Sequence, residues 1–188
     1  MVKERFIKLV QRVILLLFFI SFAEVSYSNE IQKIIQKLEE TKNLKFDFIQ
    51  TLDKSIETGT CILEFPNKFL CNYNELKKKI LVDNNIVYFI DELNNISSQN
   101  ISKTPLLFLT DKSKITKALK ESKDFKITNN RISITLNFSE NEIIELYFDD
   151  KTYLMNGWKV INYDGTFLEF NFRNLSLNLQ NIGNFSLN

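Results

Sequence analysis

No histidine occurs anywhere in the 188 residues. The commonest general base and metal ligand is therefore missing, which removes a Ser-His-Asp triad, a His-containing zinc site and a histidine-held haem. Cysteine is nearly absent too: Cys61 and Cys71 are too few for a four-cysteine metal site. Two prolines and four glycines leave no Gly/Pro-rich linker to divide the chain. The one long apolar run, Val13 to Phe22, has 10 residues, and a bilayer span needs about 20. Acid pairs such as Asp149-Asp150 and Asp91-Glu92 fall in expected turns, where solvated carboxylates are ordinary. No enzyme activity, metal or cofactor is expected.

What is present at the N-terminus reads as an export address. Lys3, Arg5, Lys8 and Arg12 precede the apolar run, and Ser26 and Ser28 stand three and one residues before Asn29. That is the layout of a cleavable signal peptide over residues 1–28, leaving a single domain at 29–188. Cleavage would remove four of the 24 basic and two of the 23 acidic residues, so 20 positives face 21 negatives. A chain of net −1 has no cationic face for nucleic acid.

The periodicity of the rest is mostly that of strands. Ile31, Ile34, Ile35 and Leu38 form one helical stripe within 29–42, with Asn29 placed to cap it. From Leu44 the period becomes two: Leu44, Phe46 and Phe48 alternate with Lys45 and Asp47. Further strands are expected at about 58–65, 68–74, 78–83, 86–91, 124–129, 131–138, 142–148, 153–163, 166–173 and 174–180. Asp83-Asn84-Asn85, Asn129-Asn130, Asp149-Asp150 and Asp164-Gly165 punctuate them with residues that accept left-handed turns. Thr104 is placed to cap a short helix at 104–109, Pro105 suits its first turn, and another helix is expected at 113–121. The class is mainly β: an incompletely closed antiparallel barrel, or strongly curved sheet, covered by an N-terminal helix and a short lid helix.

Thirteen of the 17 phenylalanines follow residue 28. Phe46/Phe48, Leu168/Phe170/Phe172 and Ile132/Ile134/Leu136/Phe138 all point to one side of such a sheet. That side is either the packed core beneath the helices or the wall of a cavity, as large curled sheets can enclose. Pattern alone leaves both readings open.

The order of motifs resembles the LolA family of periplasmic lipoprotein carriers. The similarity runs through "LKFDFIQT", the hairpin "GTCILEFPNKFLCNY", "KKILVDNNIVYFID", the Thr-Pro-headed "KTPLLFLT" and the closing "NGWKVINYDGTFLEFNFRNLSLNLQNIGNFSLN". It covers nearly all of residues 30–188. The resemblance implies a periplasmic carrier with no covalent chemistry: a monomer that accepts triacylated lipoproteins from an inner-membrane ATP-binding-cassette complex. It would shield their acyl chains and hand them to an outer-membrane receptor. It implies cavity residues Phe46, Phe48, Phe65, Phe69 and Phe89, with a lid made of Pro105, Leu106, Leu107, Phe108 and Leu109. The family latches its lid with an arginine just before the hairpin proline, bonded to lid carbonyls, one of which maps to Leu109. Here that position is Phe65, so the lid either closes by apolar contact with Phe65 or stays more open. The alternative is a lipid- or lipoprotein-sensing protein on the same curved sheet, without a carrier role.

The two cysteines sit in that hairpin. If its arms pair so that opposed residue numbers sum to 132, Glu64 faces Lys68 and Cys61 faces Cys71. Directly opposed Cβ atoms lie about 4.5 Å apart, near disulfide spacing, and the periplasm is oxidising. A Cys61–Cys71 disulfide is the hypothesis, with two buried free thiols as the alternative.

Overall fold

The computed structural model describes residues 29–53, 55–122 and 124–185. The expected signal peptide lies outside them. Among the described residues, eleven strands form one antiparallel sheet: β1 (Asn43–Leu52), β2 (Ser55–Glu64), β3 (Lys68–Tyr73), β4 (Lys79–Asp83), β5 (Ile86–Ile90), β6 (Ile96–Asn100), β7 (Phe125–Thr128), β8 (Arg131–Asn137), β9 (Glu142–Asp149), β10 (Met155–Asn162) and β11 (Phe167–Leu177). Their order is β6-β5-β4-β3-β2-β1-β11-β10-β9-β8-β7. β6 and β7 are the two edges, so the sheet is not closed into a barrel. Helix α1 covers residues 29–40, α2 is Leu106–Thr110 and α3 is Lys112–Glu121. The expected mainly-β, incompletely closed architecture is the one found.

Turn chemistry explains much of the meander. Asn84 and Asn85 both have positive φ, as do Asn129 and Asn130, the conformation two-residue hairpin turns require. Gly165 turns β10 into β11 with φ +83°. One apolar face of the resulting sheet is buried. On β1 it carries Leu44, Phe46, Phe48 and Gln50; on β8, Ile132, Ile134 and Leu136. Helix α1 closes one end with Ile31, Ile34, Ile35 and Leu38, all buried.

Four expectations change. Residues 166–173 and 174–180 are not two strands: β11 runs through, and Asn174 (φ 50°) lies in a bulge where the pairing slips between Lys45 and Asp47. The extra residue reverses the alternation, which looks like a strand break in the sequence. β6 was not expected, because all five of its residues are exposed and carry no alternating pattern. Asn29 is itself helical and so is not a cap. Thr104 does not cap α2 either: its hydroxyl donates to Ile101 O at 3.0 Å, and Pro105 begins the helix without a side-chain cap bond.

Gly59 on β2 lies flat beneath Phe48. A Cβ there would meet the Asn72 carbonyl oxygen and come within 2.6 Å of the Phe48 ring. Gly59→Ala should therefore destabilise the fold by about 1–3 kcal/mol, the usual cost of overpacking, measurable as a lowered denaturant midpoint with unchanged slope.

Candidate functional site

The gap between edges β6 and β7 is where the chain places its shortest helices. After β6, Ile101–Lys103 makes one 3₁₀ turn, then α2 and α3 follow before β7 begins. Beneath α2 the concave face is not completely filled. A cavity of about 360 Å³ remains there, walled by Phe69, Ile80 and Phe89 on one side and by Trp158, Val160, Leu168 and Phe170 on the other. Pro105, Leu106 and Leu109 roof it.

Trp158 is the centrepiece of the wall. It stacks on Phe170 at 4.6 Å and 25°, and meets Phe69 and Phe172 edge-on at 6.4 and 5.2 Å. Such pairs favour offset or edge-to-face geometry and hold the rings rigidly. The sequence did not single out Trp158. Its signal lies in the register: it pairs directly with Phe170 on β11 and Leu146 on β9, which a reading strand by strand does not reveal.

Polar groups gather at one margin of the cavity. The Tyr73 hydroxyl donates to Gln50 Oε1 at 2.6 Å, Gln50 Nε2 donates to Glu57 at 2.8 Å, and Lys78 donates to the same carboxylate at 2.6 Å. Burial, aided by the Glu57 charge, pushes the Tyr73 phenol far above its ordinary pKa, so it stays a neutral donor. Tyr73, Gln50 and Glu57 pair with one another there, which lets an apolar cavity end in a polar margin. Nothing here is arranged as a nucleophile beside a base.

The residues expected from sequence are divided by the structure. Phe69 and Phe89 line the cavity. Phe46 and Phe48 do not: both are almost wholly buried in the core, Phe46 stacked on Phe172 at 3.8 Å and Phe48 edge-on to Tyr73 at 5.0 Å. Phe65 sits at the β2–β3 turn, half-buried and away from the cavity, beneath the Lys112 ammonium at 5.0 Å. Among the lid residues, Pro105, Leu106 and Leu109 face inward, one helical turn apart. Leu107 and Phe108 face outward, onto a groove that α3 and β8 complete, and Phe108 meets Phe138 edge-on at 5.8 Å.

Helix α2 is held against the β2–β3 hairpin without an arginine. Asn67, left-handed at φ 58°, donates its backbone N–H to the Thr110 carbonyl at 2.9 Å. The Thr110 hydroxyl donates back to Leu106 O at 2.9 Å, tightening the helix end. Lys112, immediately after the lid, covers the Phe65 ring and donates to Glu39 O in the last turn of α1 at 3.2 Å. Partial burial lowers the Lys112 pKa, against the opposing pull of Glu39. The cation is thus on the lid side and the aromatic on the hairpin side. The carbonyl that the hairpin engages is that of Thr110, not Leu109.

Cys61 and Cys71 form a disulfide directly beside this latch. They are opposed in the register, their Cα atoms are 4.1 Å apart, and both are fully buried. Glu64 faces Lys68, as the sum of 132 requires. The bridge fixes the two arms that present Asn67 and Phe65 to the lid.

The site is thus an apolar cavity roofed by α2 on the concave face of an open antiparallel sheet. The chain belongs to the LolA family of outer membrane lipoprotein carrier proteins, whose model matches residues 39–181. It shares its fold with LprF of Mycobacterium bovis, at a TM-score of 0.51 and 10% identity over 85% of this chain and 96% of that one. Weaker similarity extends to a lipoprotein-sorting protein domain from Vibrio parahaemolyticus, with a TM-score of 0.48, 8% identity, 81% of this chain and 92% of that one. A chain of the Pseudomonas aeruginosa MucA/MucB complex gives a TM-score of 0.47 and 13% identity over 80% of this chain. The present chain spans only 56% of the length of that chain. No curated protein matches.

Two measurements check the latch. Replacing both cysteines with alanine should lower stability by about 2–4 kcal/mol, the usual contribution of such a cross-link. Phe65→Ala removes one exposed cation–π contact, about 0.5–1 kcal/mol. It should speed amide exchange at Leu107–Thr110 while leaving the core strands protected.

Proposed function

We propose that this protein is exported by cleavage of residues 1–28 and works in the periplasm as a monomeric carrier. Residues 29–188 shield the acyl chains of triacylated lipoproteins between an inner-membrane ATP-binding-cassette complex and the outer membrane. The observation that carries the reading is the roofed apolar cavity, lined by Phe69, Phe89, Trp158, Val160, Leu168 and Phe170, in a chain of the LolA family. Its wall offers mainly apolar area, with Gln50, Gln99, Lys103 and Glu142 among the rest of the lining. Burial of acyl surface gains about 25 cal/mol per Å², a grip that can be released by moving the lid.

The size of the cavity says how loading proceeds. About 360 Å³ lies near the low end of the roughly 300–1,000 Å³ common to ligand sites, and three acyl chains need more room than that. Loading therefore requires α2 to swing outward, breaking the two hydrogen bonds between Asn67 and Thr110. A latch of two neutral hydrogen bonds between Asn67 and Thr110 and one cation–π contact is weak enough to open at each transfer. The inward set Pro105, Leu106 and Leu109 then follows the acyl chains as a movable roof. Transfer onward goes to an outer-membrane receptor or, where none serves, to the membrane itself.

A release assay tests this reading. Energised spheroplasts incubated with the purified protein should yield a triacylated lipoprotein in the soluble fraction, bound to it. Leu168→Asp, a half-buried wall position, places a charge against the acyl chains and should cut release at least tenfold, with the melting temperature close to wild type. Soluble lipoprotein that is unaffected by Leu168→Asp, or none at all with folded wild type, would overturn the reading.

A further inference from the structure

Seven large hydrophobic side chains are exposed among the described residues: Leu52, Ile56, Leu93, Ile96, Ile127, Ile143 and Tyr163. Scattered singly, such residues need no explanation. Their placement is what matters. In this meander the β1–β2, β3–β4, β5–β6, β8–β9 and β10–β11 turns all lie at one end of the sheet. Leu52 and Ile56 flank the first of these turns, Leu93 and Ile96 the third, Ile143 the fourth and Tyr163 the fifth. Ile127, on β7 beside the β7–β8 turn, is the one at the opposite end.

The cavity reaches this same end. Gln50, Tyr73, Glu142, Val160 and Leu168, all near the ends of their strands there, are part of its lining. Six of the seven exposed apolar side chains therefore stand at the end the cavity reaches, with Ile56, Ile96 and Ile143 on the opposite face of their strands from the cavity wall. Two of the tips are held rigid in that pose. The Asp91 carboxylate accepts from the Leu93 and Asn95 amides at 2.9 and 2.8 Å, leaving Leu93 81% exposed. Asp164 accepts from the Thr166 amide at 2.9 Å, leaving Tyr163 84% exposed.

We infer that this end is a docking surface for the interface of a net-neutral phospholipid bilayer, set so that the cavity mouth faces the lipid. The apolar residues project one by one from separate turns, with polar backbone between them. Shallow insertion into a fluid interface needs no matching shape, whereas a protein partner would call for a contiguous apolar patch. A tyrosine with an apolar body and polar tip suits that depth. Charge selects among lipids: among the described residues the five turns hold Asp53, Glu75, Asp91, Glu92, Glu140 and Asp164 against Lys77 and Lys78. An acidic rim is repelled by anionic headgroups, so the surface it accepts is zwitterionic. The inference deepens the carrier reading, since it supplies the place where acyl chains enter or leave, and it rests on that reading for its purpose.

Flotation tests it. The protein, produced from the full-length chain and purified after export, is mixed with vesicles of phosphatidylcholine and phosphatidylethanolamine. Wild type should float with them, and enrichment in phosphatidylglycerol should reduce binding. Leu93→Ser combined with Tyr163→Ser should lower binding at least about tenfold, by loss of two inserted side chains. Ile127→Ser, 54% exposed at the far end, should bind as wild type. Wild type that stays in solution, or a loss equally large in Ile127→Ser, overturns the docking surface. So does capture only by membranes that contain the transporter, which would make the rim a protein contact. The carrier reading is separated by vesicle-free binding of solubilised lipoprotein, which the double variant should retain. Lipoprotein binding without flotation sinks docking alone, and flotation without lipoprotein binding sinks the carrier.

Discussion

The open seam between β6 and β7 governs the rest of this molecule. A sheet of eleven strands buries one apolar face by curling around it, yet its edges do not meet, so the face cannot be sealed by backbone pairing. The chain closes the seam with a 3₁₀ turn and two short helices instead. Such helices hold their place by tertiary contacts, because five residues of α2 are too few to be stable by themselves. A roof of that kind can move while the sheet stays intact. Had β6 and β7 paired, the same apolar wall would be an inaccessible core.

The closure shows how little is needed to hold such a roof. Asn67 exchanges a backbone and a side-chain hydrogen bond with Thr110 at the end of α2, and the ammonium of Lys112 sits over Phe65. The disulfide and the left-handed Asn67 fix the hairpin side, so the moving side gives up little when it leaves. A charge-assisted fork would hold more tightly. Neutral hydrogen bonds and an aromatic face give this hairpin a shallower hold on α2. The cavity wall is the rigid counterpart: Trp158, Phe170, Phe69 and Phe172 fix one another ring against ring.

How much of this could be read from the chain depended on whether the signal was local. Asn84-Asn85 and Asn129-Asn130 declared their turns because positive φ is a property of the residues themselves. The opposed cysteines were legible because a hairpin's turn dictates its register, and the lid declared itself as an unbroken apolar stretch after a proline. What escaped was set by distant partners. β6 has no buried face, hence no period to detect. The bulge at Asn174 exists only relative to β1. Trp158 became a wall residue through pairing with β9 and β11, and Phe46 and Phe48 became core because α1 and β11 cover them rather than the lid. The latch was invisible for the same reason: Lys112 lies 47 positions from Phe65 in the sequence, and only the fold brings them to 5.0 Å.

The central claim is that acyl chains occupy the space beneath α2. It is tested most directly by site-specific photo-crosslinking in the spheroplast release reaction, with a benzophenone side chain placed at Phe89 inside the cavity or at Lys117 on the outer groove. Acylated lipoprotein should be captured at Phe89, with the adduct lost when the acyl chains are removed, and should be absent at Lys117. Capture at Lys117 and not at Phe89, or capture that ignores deacylation, would contradict the account.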